Sequence, residues 1–217
     1  MNNDIAIVDY GIGNLLSVFR GIQKCGYNPV LISSKSDIQN SRKLILPGVG
    51  AFSDGMRSLK KKDFIDSILG FAASGKPLLG ICLGMQMLFD KSLEHGMTQG
   101  LSLIPGEVIK IPETTKDGEQ HKIPHISWSK LIKPNKSCNW DNTILEDTKI
   151  GSNVYFIHSF YAKPSNNKYL LAETEYNGRL LAGVVKKNNV YGCQFHPEKS
   201  GNIGLNILNK FCELNVE

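Results

Sequence analysis

The sequence predicts an α/β fold: a mostly parallel sheet flanked by helices, with added antiparallel β segments in the C-terminal half. Three observations carry this prediction. Strand-like and helix-like stretches alternate from Ile5 to Gln86, the pattern of repeated strand–helix–strand units with helices on both faces of a parallel sheet. A short apolar run ends in Gly80-Ile81-Cys82-Leu83-Gly84, which reads as a buried strand turning sharply into a helix. From Glu107 the character changes to short β-rich segments separated by turns.

Taken in order, residues 5–10 read as a buried strand followed by a glycine turn. A helix spans residues 14–24, where Leu15, Val18, Phe19 and Ile22 recur at helical spacing, and Gly26 stops it. Residues 28–33 and 43–46 form the second and third strands, and residues 64–73 a helix before the strand that leads to Cys82. In such sheets ligands bind beyond the carboxyl ends of the strands, where Asp9, Pro47 to Gly50 and Cys82 all fall. In the second half, residues 106–111, 123–131, 153–162, 169–175, 180–186 and 190–195 read as strands, the last two joined by a hairpin through Asn188-Asn189. Residues 113–121 and 134–149 are polar and read as exposed loops, and residues 203–214 as a closing amphipathic helix. The 217 residues suit one core, so residues 1–217 are read as a single domain.

Hydrophobic residues at 41% and charged residues at 21% are ordinary for a globular protein. The formal charge of +5 is modest, and its lysines are scattered, not interleaved with aromatics on one stripe; a nucleic-acid partner is not expected. Five cysteines, at positions 25, 82, 138, 193 and 212, are too irregular for a disulfide framework or a Cys-x-x-Cys metal site. A reducing, cytoplasmic setting follows. No basic region with a long apolar core marks a signal peptide, and no window approaches a membrane span. Neither a metal nor a cofactor is expected, since the five histidines lack ligand spacing.

Cys82 alone could be one more buried small hydrophobe. Gly80 and Gly84 flank it two positions away on each side, where small residues let a nucleophile elbow bend, and the helix that follows points its positive end at the sulfur. Downstream, Gln194-Phe195-His196-Pro197-Glu198 places His196 and Glu198 on one side of an extended chain. On its own this could be a surface turn. Joined to the elbow, Cys82, His196 and Glu198 make an acyl-transfer triad, in which the imidazole moves the proton and the carboxylate orients it. Pro47-Gly48-Val49-Gly50 is either a turn or a strand end presenting amides to an oxyanion. Gln86 lies four residues after Cys82 and so on the same helix face.

Gly80-Ile81-Cys82-Leu83-Gly84-Met85-Gln86, Leu46-Pro47-Gly48-Val49-Gly50-Ala51-Phe52 and Gln194 to Ser200 resemble the motifs of class I, triad-type glutamine amidotransferases. Val8-Asp9-Tyr10-Gly11-Ile12-Gly13-Asn14-Leu15 and Phe156-Ile157-His158-Ser159-Phe160-Tyr161-Ala162 narrow the resemblance to glutaminase subunits of imidazole glycerol phosphate synthase, over essentially the whole chain. The resemblance implies the flavodoxin-like fold of class I glutamine amidotransferases, glutamine as substrate, and Val49 and Leu83 as the oxyanion hole. It also implies that Gly50, Gln86, Ser159 and Phe160 hold the substrate's amino-acid head group, with His158 a structural histidine. The implied partner is a (β/α)8 barrel synthase that receives the ammonia, in a heterodimer whose interface lies near Tyr10, Gly11, Asn14, Trp128 and Lys199. Trp128 itself suits an exposed anchor or a core position equally.

One departure stands out: the family's Pro-His-Met-Gly-Trp-Asn is here Pro124-His125-Ile126-Ser127-Trp128-Ser129, with two serines expected near the interface. A paralogous subunit feeding ammonia to a related synthase, for an acceptor such as a surface sugar, is therefore a second reading. A cysteine hydrolase acting on peptides or γ-glutamyl bonds would give no reason for Gln86 or the Asp-Tyr-Gly opening. A catalytically idle module would have lost a triad residue, and none is lost.

Overall fold

The computed structural model describes residues 5–215. The first half alternates as expected: β1 (Ile5–Val8), α1 (Leu15–Lys24), β2 (Val30–Ile32), α2 (Lys35–Asn40), β3 (Lys43–Gly48), α3 (Phe52–Lys61), α4 (Ile65–Ala73), β4 (Leu78–Cys82) and α5 (Leu83–Met87). The second half holds β5 (Phe89–Ser92), β6 (Thr98–Gln99), β7 (Ile104–Lys110), β8 (His125–Lys130), β9 (Asn153–His158), β10 (Phe160–Pro164), β11 (Leu170–Tyr176), β12 (Arg179–Lys187), β13 (Val190–Cys193) and α6 (Gly201–Glu213).

The main sheet has seven strands in the order β11-β12-β13-β4-β3-β1-β2. Its β2, β1, β3, β4 and β13 are parallel, while β12 and β11 are antiparallel additions at one edge. Alternation along the strands divides the core in two. Ala6, Val8, Leu44, Leu46 and Leu78 face one side, with Ile38, Phe52 and Ile68 of α2, α3 and α4. Ile5, Ile7, Ile45, Leu79 and Ile81 face the other, against Val18 and Ile22 of α1 and Ile207 and Phe211 of α6. Both faces of the parallel strands are thus covered, which is why these runs are continuously apolar. Two smaller sheets, β10-β7-β5-β6 and the β8-β9 ribbon, lie outside the main one.

Several elements differ from the sequence reading. Helices α2 and α3 were not expected. The first is set by Ser34, whose Oγ caps the Asp37 amide at 3.2 Å, and the second by burial of Phe52, Met56 and Leu59, so capping and packing replace a long apolar period. The helix after the elbow lasts only to Met87, because Phe89 leaves it to begin β5. The strand read over 153–162 is broken at Ser159 into β9 and β10, which pair with different partners. The hairpin through Asn188-Asn189 is present, with Asn188 at φ +53°. Among the described residues no helix is long and apolar enough to cross a membrane, and no group of three or more His, Cys, Asp or Glu could hold a metal ion.

Candidate active site

β4 delivers Cys82 to the carboxyl edge of the sheet at φ +54°, ψ −110°, a left-handed conformation that costs a non-glycine residue on the order of 1–3 kcal/mol. The two neighbouring glycines permit it. A Cβ on Gly84 would lie 1.8 Å from the Leu46 carbonyl oxygen, and one on Gly80 would lie 2.7 Å from the backbone of Gly84. α5 begins at Leu83, and the first amides of a helix have no partner within it. The Leu83 N–H, on the residue directly after Cys82, is one of these.

His196 follows β13 and is pinned on both sides. Its N–H donates to the Tyr155 carbonyl at 3.0 Å, and its carbonyl accepts from Ser200 Oγ at 2.7 Å. Residues Pro197–Lys199 form a 3-10 turn, not the extended chain read from the sequence. The turn carries Glu198 back so that His196 Nδ1–H donates to Oε1 at 2.8 Å. The other ring nitrogen is left for Cys82, which lines the same cavity. Burial pulls the imidazole toward its neutral form, but the hydrogen bonds and charges of Cys82 and Glu198 outweigh it and push the pKa up to about 9. The Glu198 side chain is 1% exposed, and its Oε2 has no hydrogen-bond partner. Its charge is therefore directed almost wholly at the imidazole.

These groups open on a cavity of about 300 Å³. Cys82, Leu83 and Gln86 of the elbow form its floor, Val49 and Gly50 after β3 one wall, and Ser159 and Phe160 at the break between β9 and β10 the other. The break is what turns the Ser159-Phe160 backbone toward the cleft. Gln86 is buried; its Nε2 donates to the Phe160 carbonyl at 2.9 Å and to Gln194 Oε1 at 3.1 Å. Lys199, exposed on the 3-10 turn, closes the rim. Size alone does not select this cleft. A more open hollow of about 690 Å³ between residues 135–139 and the β12–β13 hairpin contains a thiol, Cys138, that is committed to the Leu171 carbonyl at 3.3 Å.

Four of the five residues read as interfacial are at the surface, Lys199 on the 3-10 turn among them. Gly11 is exposed, Asn14 is half-buried with a side chain that does not cap α1, and Trp128 is 55% exposed on the outer face of β8. Tyr10 differs from these in being buried. It is 1% exposed, with its hydroxyl donating to the Pro47 carbonyl at 2.7 Å, so it supports the Pro47 to Gly50 wall from beneath and offers no side chain to a partner.

The sequence reading missed two polar residues here. Glu94 lines the cleft and accepts the Phe52 amide at 2.7 Å, fixing the start of α3 beside Gly50. Gln194 is fully buried between Gln86 and Cys82, with Nε2 3.9 Å from the sulfur. Its place directly before Phe195-His196, at the end of β13, was the available signal: a polar side chain in an apolar strand needs a buried partner.

The profile of the glutamine amidotransferase class-I family matches residues 6–214. An imidazole glycerol phosphate synthase subunit HisH 1 from Legionella pneumophila is 50% identical over 212 residues, spanning 98% of this chain and all of the relative. A HisH subunit from Geobacter metallireducens is 45% identical over 209 residues, 95% of this chain and 96% of its own. Among solved structures, a glutamine amidotransferase superposes with a TM-score of 0.72 at 15% identity, covering 96% of this chain and 97% of the other. The PurLQS structure from Thermotoga maritima gives 0.68 at 18% identity over 97% and 98%; at such identities these two bear on the fold alone. The family match and these relatives make this chain a class-I glutamine amidotransferase of the imidazole glycerol phosphate synthase HisH family.

Proposed function

We propose that this chain is the glutaminase half of imidazole glycerol phosphate synthase and hydrolyses glutamine through a Cys82-His196-Glu198 triad. The observation that carries the reading is the 2.8 Å His196–Glu198 pair, opening on the same cavity as a cysteine held at φ +54°. Cys82 sulfur attacks the side-chain amide carbon of glutamine, and the thiol proton is held on His196. The tetrahedral oxygen is taken up by amides of Val49 and Leu83. His196 passes its proton to the departing nitrogen, ammonia leaves, and a thioester remains. A water deprotonated by His196 then attacks the thioester, releasing glutamate and returning the proton to sulfur. Gly50, Gln86 and the backbone of Ser159 and Phe160 hold the amino-acid head group. No metal or cofactor takes part.

The ammonia passes to a (β/α)8 barrel synthase, which makes imidazole glycerol phosphate and aminoimidazole carboxamide ribotide. Its docking face is the apolar surface beside the cleft mouth: Val49, Ile126, Trp128 and Ile157 are all large, exposed and apolar, bordered by Lys199, Gly11 and Asn14. Exposed apolar patches of this kind mark interfaces. The two serines of β8 supply no argument for another acceptor, since their side chains turn inward onto His125 at 2.8 and 3.0 Å, away from the face that carries Trp128. Five free thiols suit a reducing cytoplasm.

The test is glutamate release from glutamine by the purified chain, alone and with the barrel subunit of its own organism plus that subunit's nucleotide ligand. Stimulation by the loaded barrel, and its loss in Cys82→Ser, are the expected results. Hydrolysis that survives Cys82→Ser would overturn the triad. A barrel active on free ammonia that gives no stimulation would overturn the partnership.

A further inference from the structure

A chain of hydrogen bonds runs from the inner face of β8 to the glutamine cleft, and the mechanism above does not use its serines and histidines. Ser127 and Ser129 Oγ lie 2.7 Å apart and both contact His125 Nε2, at 2.8 and 3.0 Å. His125 Nδ1 lies 3.1 Å from His158 Nε2, and His158 Nδ1 lies 2.9 Å from the Phe160 carbonyl. That same carbonyl accepts from Gln86 Nε2 at 2.9 Å. Both rings are buried, His125 stacked at 4.1 Å on Tyr176 and at 5.0 Å on Phe156.

The far end fixes every proton in the neutral chain. A carbonyl can only accept, so His158 Nδ1 carries hydrogen and its Nε2 is bare. The bare nitrogen needs a donor, so His125 carries hydrogen on Nδ1 and is bare at Nε2. Only a serine hydroxyl can complete it. All donors then point the same way, toward Phe160, an arrangement in which each bond strengthens the next. Burial lowers the basicity of both rings, which keeps them in this neutral state.

We propose that His125 and His158 are positioning residues for glutamine: oriented by Ser127 and Ser129, they hold the Phe160 carbonyl, and with it the Gln86 amide, where the head group of the substrate binds. This rests on the reading of the cleft as a glutamine site. It assigns the serine pair a purpose that an apolar or glycine inner face could not serve, since without a hydroxyl donor His125 Nε2 would stay unpaired.

The experiment measures alkylation of Cys82 in the full chain by iodoacetamide, followed by peptide mass spectrometry, and its protection by L-glutamate, which carries the same head group as glutamine. In His158→Leu the half-protection concentration should rise about five- to tenfold, the effect of one lost orienting hydrogen bond. Alkylation without glutamate should stay within about twofold of the parent. His158→Gln, whose amide can donate to Phe160 and accept from His125, should restore protection to within about threefold of the parent. The partly exposed double variant Ser127→Ala/Ser129→Ala should shift protection in the same direction by about two- to fivefold, and carries the test if a histidine variant fails to fold. Protection unchanged in the leucine and alanine variants, or a glutamine variant no better than leucine, overturns the relay alone. A parent chain that glutamate does not protect at any concentration overturns the glutamine-site reading, and the relay with it.

Discussion

Replacing Gly84 with alanine tests whether the elbow, and not merely its cysteine, is a requirement of this fold. The added Cβ would lie 1.8 Å from the Leu46 carbonyl oxygen and 2.8 Å from its carbon. Relieving that contact needs roughly 1.5 Å of separation between α5 and β3, and Leu46 is backbone that cannot rotate away, so the change exceeds ordinary side-chain overpacking. Leu46 also pairs with Gly80 across β3 and β4, so the displaced strand is the direct neighbour of the one that feeds the nucleophile. A destabilisation of about 3–5 kcal/mol follows, which for a chain of this size lowers Tm by about 6–20 °C. Glutaminase activity should fall at least about tenfold, because a small displacement of the reacting groups suffices for that. The control is Gly70→Ala in α4, where a Cβ meets nothing within 4 Å. Alanine is the better helix residue by about 0.5–1 kcal/mol, so Tm should rise by about 1–4 °C with activity intact. Thermal melts of both variants decide it. A Gly84→Ala chain that melts within about 2 °C of the parent and keeps its activity would refute the packing argument.

Three other outcomes follow from the same geometry. His125 and His158 are held by burial to about 4 and about 3, below their unfolded value near 6.5, so the unfolded chain takes up protons that the native one refuses; stability should be full above about pH 6.5 and fall by about 2 kcal/mol per histidine by pH 5 in urea unfolding, and a flat profile over pH 7 to 5 would contradict the assignment. His196, raised to about 9, acts with the opposite sign: its contribution is complete below about 6.5 and is lost as pH rises through 9. Glu198→Gln should retain the fold but lower kcat by about two to four orders of magnitude, since an amide no longer holds the imidazole in its working tautomer, as steady-state assays would register. Trp128→Ala should weaken binding to the barrel partner by about 2 kcal/mol or more in calorimetry, while Tm stays within about 2 °C because the ring is 55% exposed.

The residues proposed as the triad could be picked out because each sits in a short motif whose spacing is enforced locally: glycines at 80 and 84 around Cys82, and a proline between His196 and Glu198. The parallel sheet was legible because strands buried on both faces read as continuous apolar runs. What the sequence hid depends on tertiary approach. Tyr10 follows a buried strand and gives no local sign that its hydroxyl reaches Pro47, 37 residues away. Glu94 lies in the turn after β5, where a carboxylate is ordinarily solvated, and becomes a cleft residue only because α3 starts beside it. His125 and His158 are 33 residues apart and meet through the register of β8 on β9, which pairs these two positions directly. Alternation could have separated the two faces of each strand, but not chosen the partner.

That register also explains why the serine substitutions and the docking patch are independent although they share one strand. Ile126, Trp128 and Lys130 point outward from β8 and His125, Ser127 and Ser129 inward; on β9, Tyr155 and Ile157 stand opposite Trp128 and Ile126 on the outer face, with His158 opposite His125 on the inner. The side-chain period of a strand is two, so a slip of one residue would exchange the faces. Trp128 and Ile126 would be driven into the space between Tyr176 and Phe156, and the histidine chain would be turned out to water, with the Phe160 carbonyl left without its His158 donor. The ribbon therefore cannot trade its surface for its interior by small steps. On the proposed roles, a change on the outer face alters what docks beside the cleft, a change on the inner face alters how Gln86 is held, and the pairing of β8 with β9 keeps the two roles on one element.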